Sequence, residues 1–436
     1  MRKICLTLPT NRECAATISA VSREAAHAAR HFDVEVHLLI LDSSGHHAFG
    51  EHARAAGDAR ETPNVVVHHL GEAGQRAFLR EVIHRAGVVK PDLILDLMLP
   101  SGVSYGACTN RAFLIASALA CESVHRRDSD SRYQDWNGRP VFPIHHELMS
   151  LGKRASDAAG GVSETALGPG QEDRPVVLAG SSFVGELSVD IGEIAGADPG
   201  VYHDVVGLWA PMDWPDDEKR RLAGESFKGA GDDPFTGDHS ILGPVDPMRV
   251  DMCNIAFHRV HERVPLPPAT DTIGSDYFLI HLVHDAGLPG VLHNRNIVNF
   301  YTGERRTAAG FMAYQLRFAK FLLSMAYLNF VYRRMAEAGA SLLDERNDVR
   351  ASRVAELVRE STTLGTAENE ERLDVLDRSY RRLGGRYAAV ADTLARRRGR
   401  LLDEARQDME DFALLIESWE GLVRASRSTS VRQARG

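Results

Sequence analysis

The sequence predicts an α/β protein built on a largely parallel sheet with helices on both faces, followed by a C-terminal part that is helix alone. Two observations carry this reading. Over the first 130 or so residues, β-rich apolar runs alternate with helical stretches, as in sheets whose strands are joined by crossover helices. From Thr307 onward the strand signal gives way to long helical patterns. A chain of 436 residues with 44% hydrophobic content can bury a substantial core plus a second unit.

The elements follow in order. Lys3 to Arg12 reads as a short apolar strand ending in a Pro9-Thr10-Asn11-Arg12 turn, with a helix from about Cys14 to His31. A second strand, Val34 to Leu41, ends at the loop Asp42-Ser43-Ser44-Gly45, where open α/β sheets bind ligands. Asn64 to His69 is a third strand, followed by a helix near Gln75 to Ala86. Between Tyr105 and Tyr133, a Gly/Asn/Arg helix start, an apolar helix and a short strand deliver Asp128-Ser129-Asp130. Residues 152 to 174 read as a mobile loop or insertion, with a strand at Pro175 to Ala179 and a turn at Gly180 to Glu186 approaching the site. The tract from Asp213 to Asp246 reads as an acceptor loop or lid.

Asp128 and Asp130 are the central chemical feature. In extended backbone, residues i and i+2 project from the same face, so two carboxylates at a strand end can converge on one hard cation. Mg²⁺ and Mn²⁺ take oxygen ligands and keep room for waters or substrate phosphates, which suits a nucleoside diphosphate.

Taken together, the Pro-Thr-Asn-Arg loop, the Asp-Ser loop, the Asn110-Arg111 helix start and Asp128-Ser129-Asp130 resemble the nucleotide-sugar-binding half of GT-A glycosyltransferases of the bacterial family 2-like type. Val250 to Phe257 resembles the acceptor-side strand of that family, and Gly274-Ser275-Asp276-Tyr277 its acidic helix start, with Ser275 where the family has Glu. The resemblance spans roughly residues 1 to 305. It implies a Rossmann-type mixed, mostly parallel sheet of GT-A type. It also implies that Pro9, Thr10, Asn11 and Arg12 line the nucleotide, that Asp42 meets a base or ribose edge, and that Asn110 and Arg111 face diphosphate or sugar. Asp128 would contact sugar hydroxyls or the metal, Asp130 would be the more direct ligand of Mn²⁺ or Mg²⁺, and His293 matches a further ligand found in some members. Asp276 would be the base of an inverting transfer. Read from the residues alone, Asp276 is equally a helix N-cap and His293 a hydrogen-bonded structural residue. Arg295, Arg305 and Arg306 are candidates to neutralise a leaving diphosphate or plain surface charges.

Composition excludes several classes. A net charge of −9 argues against nucleic-acid binding. The five cysteines, at 5, 14, 108, 121 and 253, form no CxxC pair, and the chain opens on a strand, so a reducing cytoplasm is expected. The 19 histidines include pairs at 46/47, 68/69 and 145/146, without the H-E-x-x-H or Cys/His clusters of a zinc hydrolase. His145-His146-Glu147 reads as lining the acceptor pocket or as surface.

In the C-terminal part, Phe311 to Met335 is too interrupted by polar residues to cross a membrane. Leu373, Leu376, Tyr380, Leu383, Tyr387, Val390, Leu394 and Leu401 form a heptad-like stripe, expected either in a helical hairpin packed on the catalytic unit or in a homodimer interface. The expected division is 1–306, with halves 1–133 and 134–306, a helical domain 307–425 and a disordered tail 426–436. The expected activity is metal-dependent glycosyl transfer from a nucleoside-diphosphate sugar to a small-molecule, glycan or lipid acceptor, as in specialised metabolism. A sugar-phosphate nucleotidyltransferase and a catalytically silent oligomerising protein are the alternatives. The first would carry a Gly-rich, Lys/Arg-bearing loop after strand one, and Pro9-Thr10-Asn11-Arg12 lacks that cluster.

Overall fold

A computed structural model describes residues 1–186, 191–300 and 303–431, without the side chains of Asp58, Glu304 and Arg305. Its strands are β1 (Arg2–Thr10), β2 (Val34–Asp42), β3 (Val65–Gly71), β4 (Ser123–Arg127), β5 (Ser131–Tyr133), β6 (Asp135–Trp136), β7 (Arg139–Pro140), β8 (Glu164–Thr165), β9 (Leu178–Gly180), β10 (Phe183–Gly185), β11 (Ser240–Gly243), β12 (Asn254–His258), β13 (Gly290–His293) and β14 (Ile297–Asn299). Nine of them form one sheet in the order β3-β2-β1-β4-β12-β9-β13-β11-β8. The pairs among β1 to β4 are parallel, as are β9 with β13 and β8 with β11, while β12 is antiparallel to both neighbours. The largely parallel sheet expected from the alternation is therefore present, and the antiparallel pairs of β12 and of β11 with β13 make it mixed, as the resemblance implies. β1 and β2 are buried along nearly their whole length, because helices cover both faces.

Two apolar cores sandwich the first strands by simple alternation. Ile4, Leu6 and Leu8 of β1 face the helix Ala15–His31, whereas Cys5 faces the core on the opposite side. That second core runs without a break into the C-terminal helices Ala308–Ala338, Ala351–Ser361, Ala367–Leu383 and Gly385–Ser426. The helical part thus shares its core with the sheet. Trp419, fully buried, donates its indole N–H to the His261 carbonyl at 2.9 Å. The heptad-like stripe is consumed within the chain: Leu376, Tyr380, Val390 and Leu394 are buried where the last two long helices pack together as a hairpin.

Two expectations change. Residues 152–174 contain a short helix, Ala155–Ala158, and the edge strand β8 rather than only loop. Within the expected tail 426–436, the last helix runs to Ser426 and Thr429 is buried with its hydroxyl on the Ala425 carbonyl at 3.0 Å. Residues 432–436 lie outside the described residues. No helix among the described residues is long and apolar enough to cross a membrane.

Candidate active site

Strand order reverses between β1 and β4, since β2 and β3 lie on one side of β1 and β4 on the other. At such a switch point the loops leaving the carboxyl ends diverge and open a crevice. Here the crevice is a cavity of about 820 Å³, lined on this side by Pro9, Thr10, Asn11, Arg12, Asp128 and Asp130. Thr10 tightens the first loop by donating its hydroxyl to the Arg12 carbonyl at 3.0 Å. Arg12 then reaches across to Asp130 at 3.3 Å, joining the two loops.

The carboxylate pair converges by a different route from the one the spacing suggested. Pairing with β12 stops at Arg127, opposite Asn254, and Asp128-Ser129-Asp130 forms a tight turn into β5 instead of extended strand. Ser131 donates its hydroxyl to the Asp128 carbonyl at 2.7 Å, and Thr17 donates toward the Ser129 carbonyl at 3.2 Å. The turn, not the pleat, aims both side chains into the cavity.

Because β12 is antiparallel to β4, the segment entering β12 lies beside the turn leaving β4, and Asp251 joins the same wall. Gly274 adopts φ +69°, and a Cβ there would meet the Phe321 ring at 2.5 Å, so only glycine makes this turn. The turn starts the 3₁₀ segment Ser275–Tyr277, with Gly274 at the capping position. Asp276 is therefore not a cap. Its carboxylate pairs instead with Arg126, Nη1 to Oδ2 at 2.5 Å, and the same guanidinium binds Asp128 at 3.0 Å. Arg126 is 2% exposed and ties together two acids from distant segments, Asp128 and Asp276. Asp251 accepts a hydrogen bond from the Tyr277 hydroxyl.

Four carboxylates, Asp128, Asp130, Asp251 and Asp276, thus line one cavity, and among the described side chains Arg12 pairs with Asp130 and Arg126 with Asp128 and Asp276. Burial pushes the Asp128 carboxyl up; Arg126 opposes this, and Asp130, Asp251 and Asp276 add to it, leaving it at about 6. A divalent cation beside Asp128 would relieve the burial and the neighbouring carboxylates that disfavour its charge. The donor set is all oxygen, which fits Mn²⁺ or Mg²⁺.

Alternation sends the adjacent Arg127 to the opposite face. There it is fully buried and bonds Glu24 at 2.8 and 3.0 Å and Glu147 at 3.0 Å, while His125 reaches Glu147 at 2.6 Å. His145-His146-Glu147 is accordingly not in the cavity: Glu147 belongs to this network, and His146 pairs with Asp238 at 2.9 Å.

Several other expected site residues lie elsewhere. Asp42 is buried, with one oxygen bonded to His52 at 2.7 Å and to His69 at 2.8 Å, and the other to the Ser44 amide at 2.8 Å. Burial opposes ionisation, but these donors outweigh it and hold the carboxyl well below its ordinary range. Leu41 and Ser43 line the cavity; Asp42 does not. Asp42, His52 and His69 are also a group of potential metal ligands with atoms within 4.8 Å of one another. Ligands about 2.0–2.1 Å from a tetrahedral zinc sit roughly 3.3 Å apart. The 2.7 and 2.8 Å spacings are hydrogen bonds, and His52 completes the chain by accepting the Cys14 amide N–H at 3.0 Å. The trio therefore anchors the loop after β1 from below.

Asn110 is fully buried and brackets Leu266, accepting its N–H and donating to its carbonyl, both at 2.8 Å. Gly106, one turn earlier, lets this helix approach, since a Cβ there would lie 1.9 Å from the Pro267 carbonyl oxygen. Arg111 reaches the cavity wall, but its guanidinium bonds Gln75 at 2.8 Å and the Met98 carbonyl at 2.6 Å. His293 ends β13, three ladder spacings or roughly 14 Å from β4, too far to share an ion with Asp130. Its ring stacks on His146 with centroids 5.5 Å apart, and burial lowers its pKa to about 3. Arg295 is held by Asp238 at 2.6 and 2.9 Å, and Arg306 pairs with Glu186 at 3.2 Å. The side chain of Arg305 lies outside those described.

Sequence reasoning passed over Arg126 and Asp251. The signal for the first was present in His125-Arg126-Arg127: consecutive cations in a short strand otherwise bound for the core must each find a buried partner.

The fold is similar to three solved structures, each at a TM-score below 0.5, a level that does not bear on activity. A mycobacterial protein is 15% identical, with 76% of this chain and 74% of that one covered and a TM-score of 0.35. Glucosyl-3-phosphoglycerate synthase from Mycobacterium tuberculosis, in complex with phosphoglyceric acid, is 15% identical, with coverage of 74% and 80% and a TM-score of 0.35. A mannosyltransferase from Pyrobaculum calidifontis, in complex with GDP-Man and Mn²⁺, is 13% identical, with coverage of 95% and 86% and a TM-score of 0.36. No curated protein matches. A family model does match, over residues 2–435, and the chain belongs to that family, the family of unknown function DUF6271.

Proposed function

We propose that this chain transfers a glycosyl group from a nucleoside-diphosphate sugar to an acceptor hydroxyl, with inversion at the anomeric carbon. The observation that carries the reading is the one guanidinium, Arg126, joining Asp128 of the β4 turn to Asp276 of the later acidic segment around a single cavity. The loop Pro9–Arg12 and the β4 turn form the donor side. Arg12 brings positive charge to the place where a diphosphate would leave. Arg126 holds Oδ2 of Asp276, which leaves Oδ1 to take the acceptor proton as the oxygen attacks the anomeric carbon and the bond to the diphosphate breaks. Asp128 and Asp130 would hold a Mn²⁺ or Mg²⁺ ion, whose contribution when bound is to neutralise charge on the departing phosphates.

Calorimetric titration with UDP, GDP, CDP, dTDP and ADP, with and without each metal, tests this. One nucleotide should bind in a metal-dependent way, Asp130→Asn should lose that binding, and Asp276→Asn should keep it. Slow hydrolysis of the matching sugar nucleotide should fall about 10²- to 10⁴-fold in Asp276→Asn, the range of a lost general base. Absence of nucleotide binding under every metal condition would overturn the proposal.

A further inference from the structure

The end of the cavity beside Asp276 has a different character from the donor end. Its walls are Trp209 and Phe227 from the segment before β11, Phe321 and Met325 from the helix Ala308–Ala338, and Met248 and Ile273 beside the acidic residues. Trp209 meets Phe321 edge-on at 5.3 Å and Phe227 at 5.0 Å. The wall also holds His281, whose ring stacks on Tyr332 at 3.7 Å and 11°, and burial keeps that imidazole neutral by lowering its pKa to about 3.

The C-terminal helices set this wall rigidly. Arg372, fully buried, donates to the carbonyls of Leu208 and of Ala210, the latter at 3.1 Å, and Asn329 donates to the carbonyl of Trp209 at 3.0 Å. Three successive carbonyls are therefore clamped, and the Trp209 ring is fixed before any ligand arrives. Preformed apolar walls of this kind favour binding because little ordering is left to do.

Of the acids at this end, Asp251 is paired with Tyr277 and one oxygen of Asp276 with Arg126. A carbohydrate presents hydroxyls in all directions and would bury them against rings. A flexible alkyl chain would lose rotamer freedom along its whole length. Flat rings gain most from aromatic edges and faces, and from methionines that adapt to shape.

On the glycosyl-transfer reading above, we infer that the acceptor is a compact molecule with an aromatic or alicyclic ring body, seated between Trp209 and the helix Ala308–Ala338, its hydroxyl turned to Asp276. The test is calorimetric binding of three probes, 4-methylumbelliferone, methyl β-glucoside and 1-dodecanol, to the full chain and to Trp209→Ala and Phe227→Ser, both half-buried positions. Nucleotide binding is measured on the same samples as a check on folding and on the donor site. The expected result is binding of 4-methylumbelliferone alone, weakened at least tenfold in both variants while nucleotide affinity holds. Binding of the glucoside or of dodecanol in its place would overturn the inference, as would nucleotide binding with no ring probe bound. Ring binding without any nucleotide binding would leave the aromatic site standing and remove the glycosyl-transfer reading instead.

Discussion

Replacing Asp128 by Asn should stabilise the metal-free protein while abolishing its response to Mn²⁺. The folded protein holds this carboxyl at about 6 against an ordinary 3.8, chiefly through burial, which Arg126 opposes and Asp130, Asp251 and Asp276 reinforce. At 1.36 kcal/mol per tenfold, keeping it ionised at neutral pH costs at most about 3 kcal/mol. A quarter of the side chain is exposed, so solvent screening cuts this to roughly 1–2 kcal/mol. Asn removes the charge, and Arg126 is not stranded because Asp276 still pairs with it at 2.5 Å. The pH dependence has a definite sign. A carboxyl with a raised folded pKa leaves more protons on the folded state between about pH 4 and pH 6, so the wild-type penalty grows as pH rises through that window and is absent below it. Urea denaturation in EDTA at about pH 7.5 should place the variant's midpoint roughly 0.3–0.7 M above wild type, taking m near 3 kcal/mol/M. The gap should close at about pH 4. Added Mn²⁺ should raise the wild-type midpoint and leave the variant unmoved. A variant less stable than wild type at neutral pH in EDTA, or a gap that does not change with pH, would refute the electrostatic account.

Other perturbations separate structural from functional roles. His52→Ala leaves Asp42 short of one donor and the Cys14 amide without an acceptor, which should cost about 1–3 kcal/mol and weaken nucleotide binding through the loop after β1, measured by denaturation and calorimetry. Arg127→Met strands Glu24 and Glu147 in the core, and a loss of about 3–5 kcal/mol is expected in the same denaturation assay. Gly106→Ala drives a methyl to 1.9 Å from the Pro267 oxygen and should cost about 1–3 kcal/mol. Gly399→Ala, with nothing within 4 Å in a long helix, should instead gain about 0.5–1 kcal/mol.

Much of the N-terminal side of the cavity was legible because it depends on local signals. The first three strands and their helices follow from apolar runs and punctuation, and the loops after β1 and β4 follow from where those runs stop. Asp128, Asp130 and Asp276 were identifiable as acidic residues at such ends, and all three line the cavity. Asp42, Asn110 and His293 sit at equally plausible ends, yet their side chains turn to His52 and His69, to Leu266 and to His146. Nothing local distinguishes a strand-end carboxylate that meets ligand from one that meets two imidazoles. The heptad-like stripe was legible as a buried seam, but period alone does not say whether the partner helix belongs to the same chain.

By itself, the sequence determined the alternation of strand and helix, the helical C-terminal part, and the chemical types placed at the carboxyl ends of the strands, because side-chain period and turn chemistry act over a few residues. Only the tertiary structure decided that β13 lies three strands from β4, that one guanidinium serves two acids from distant segments, and that helices near the C-terminus clamp Trp209 over the acidic site. Those outcomes rest on lateral strand order and on where buried charges find partners, which are settled by the packing of distant segments rather than by neighbours in the chain.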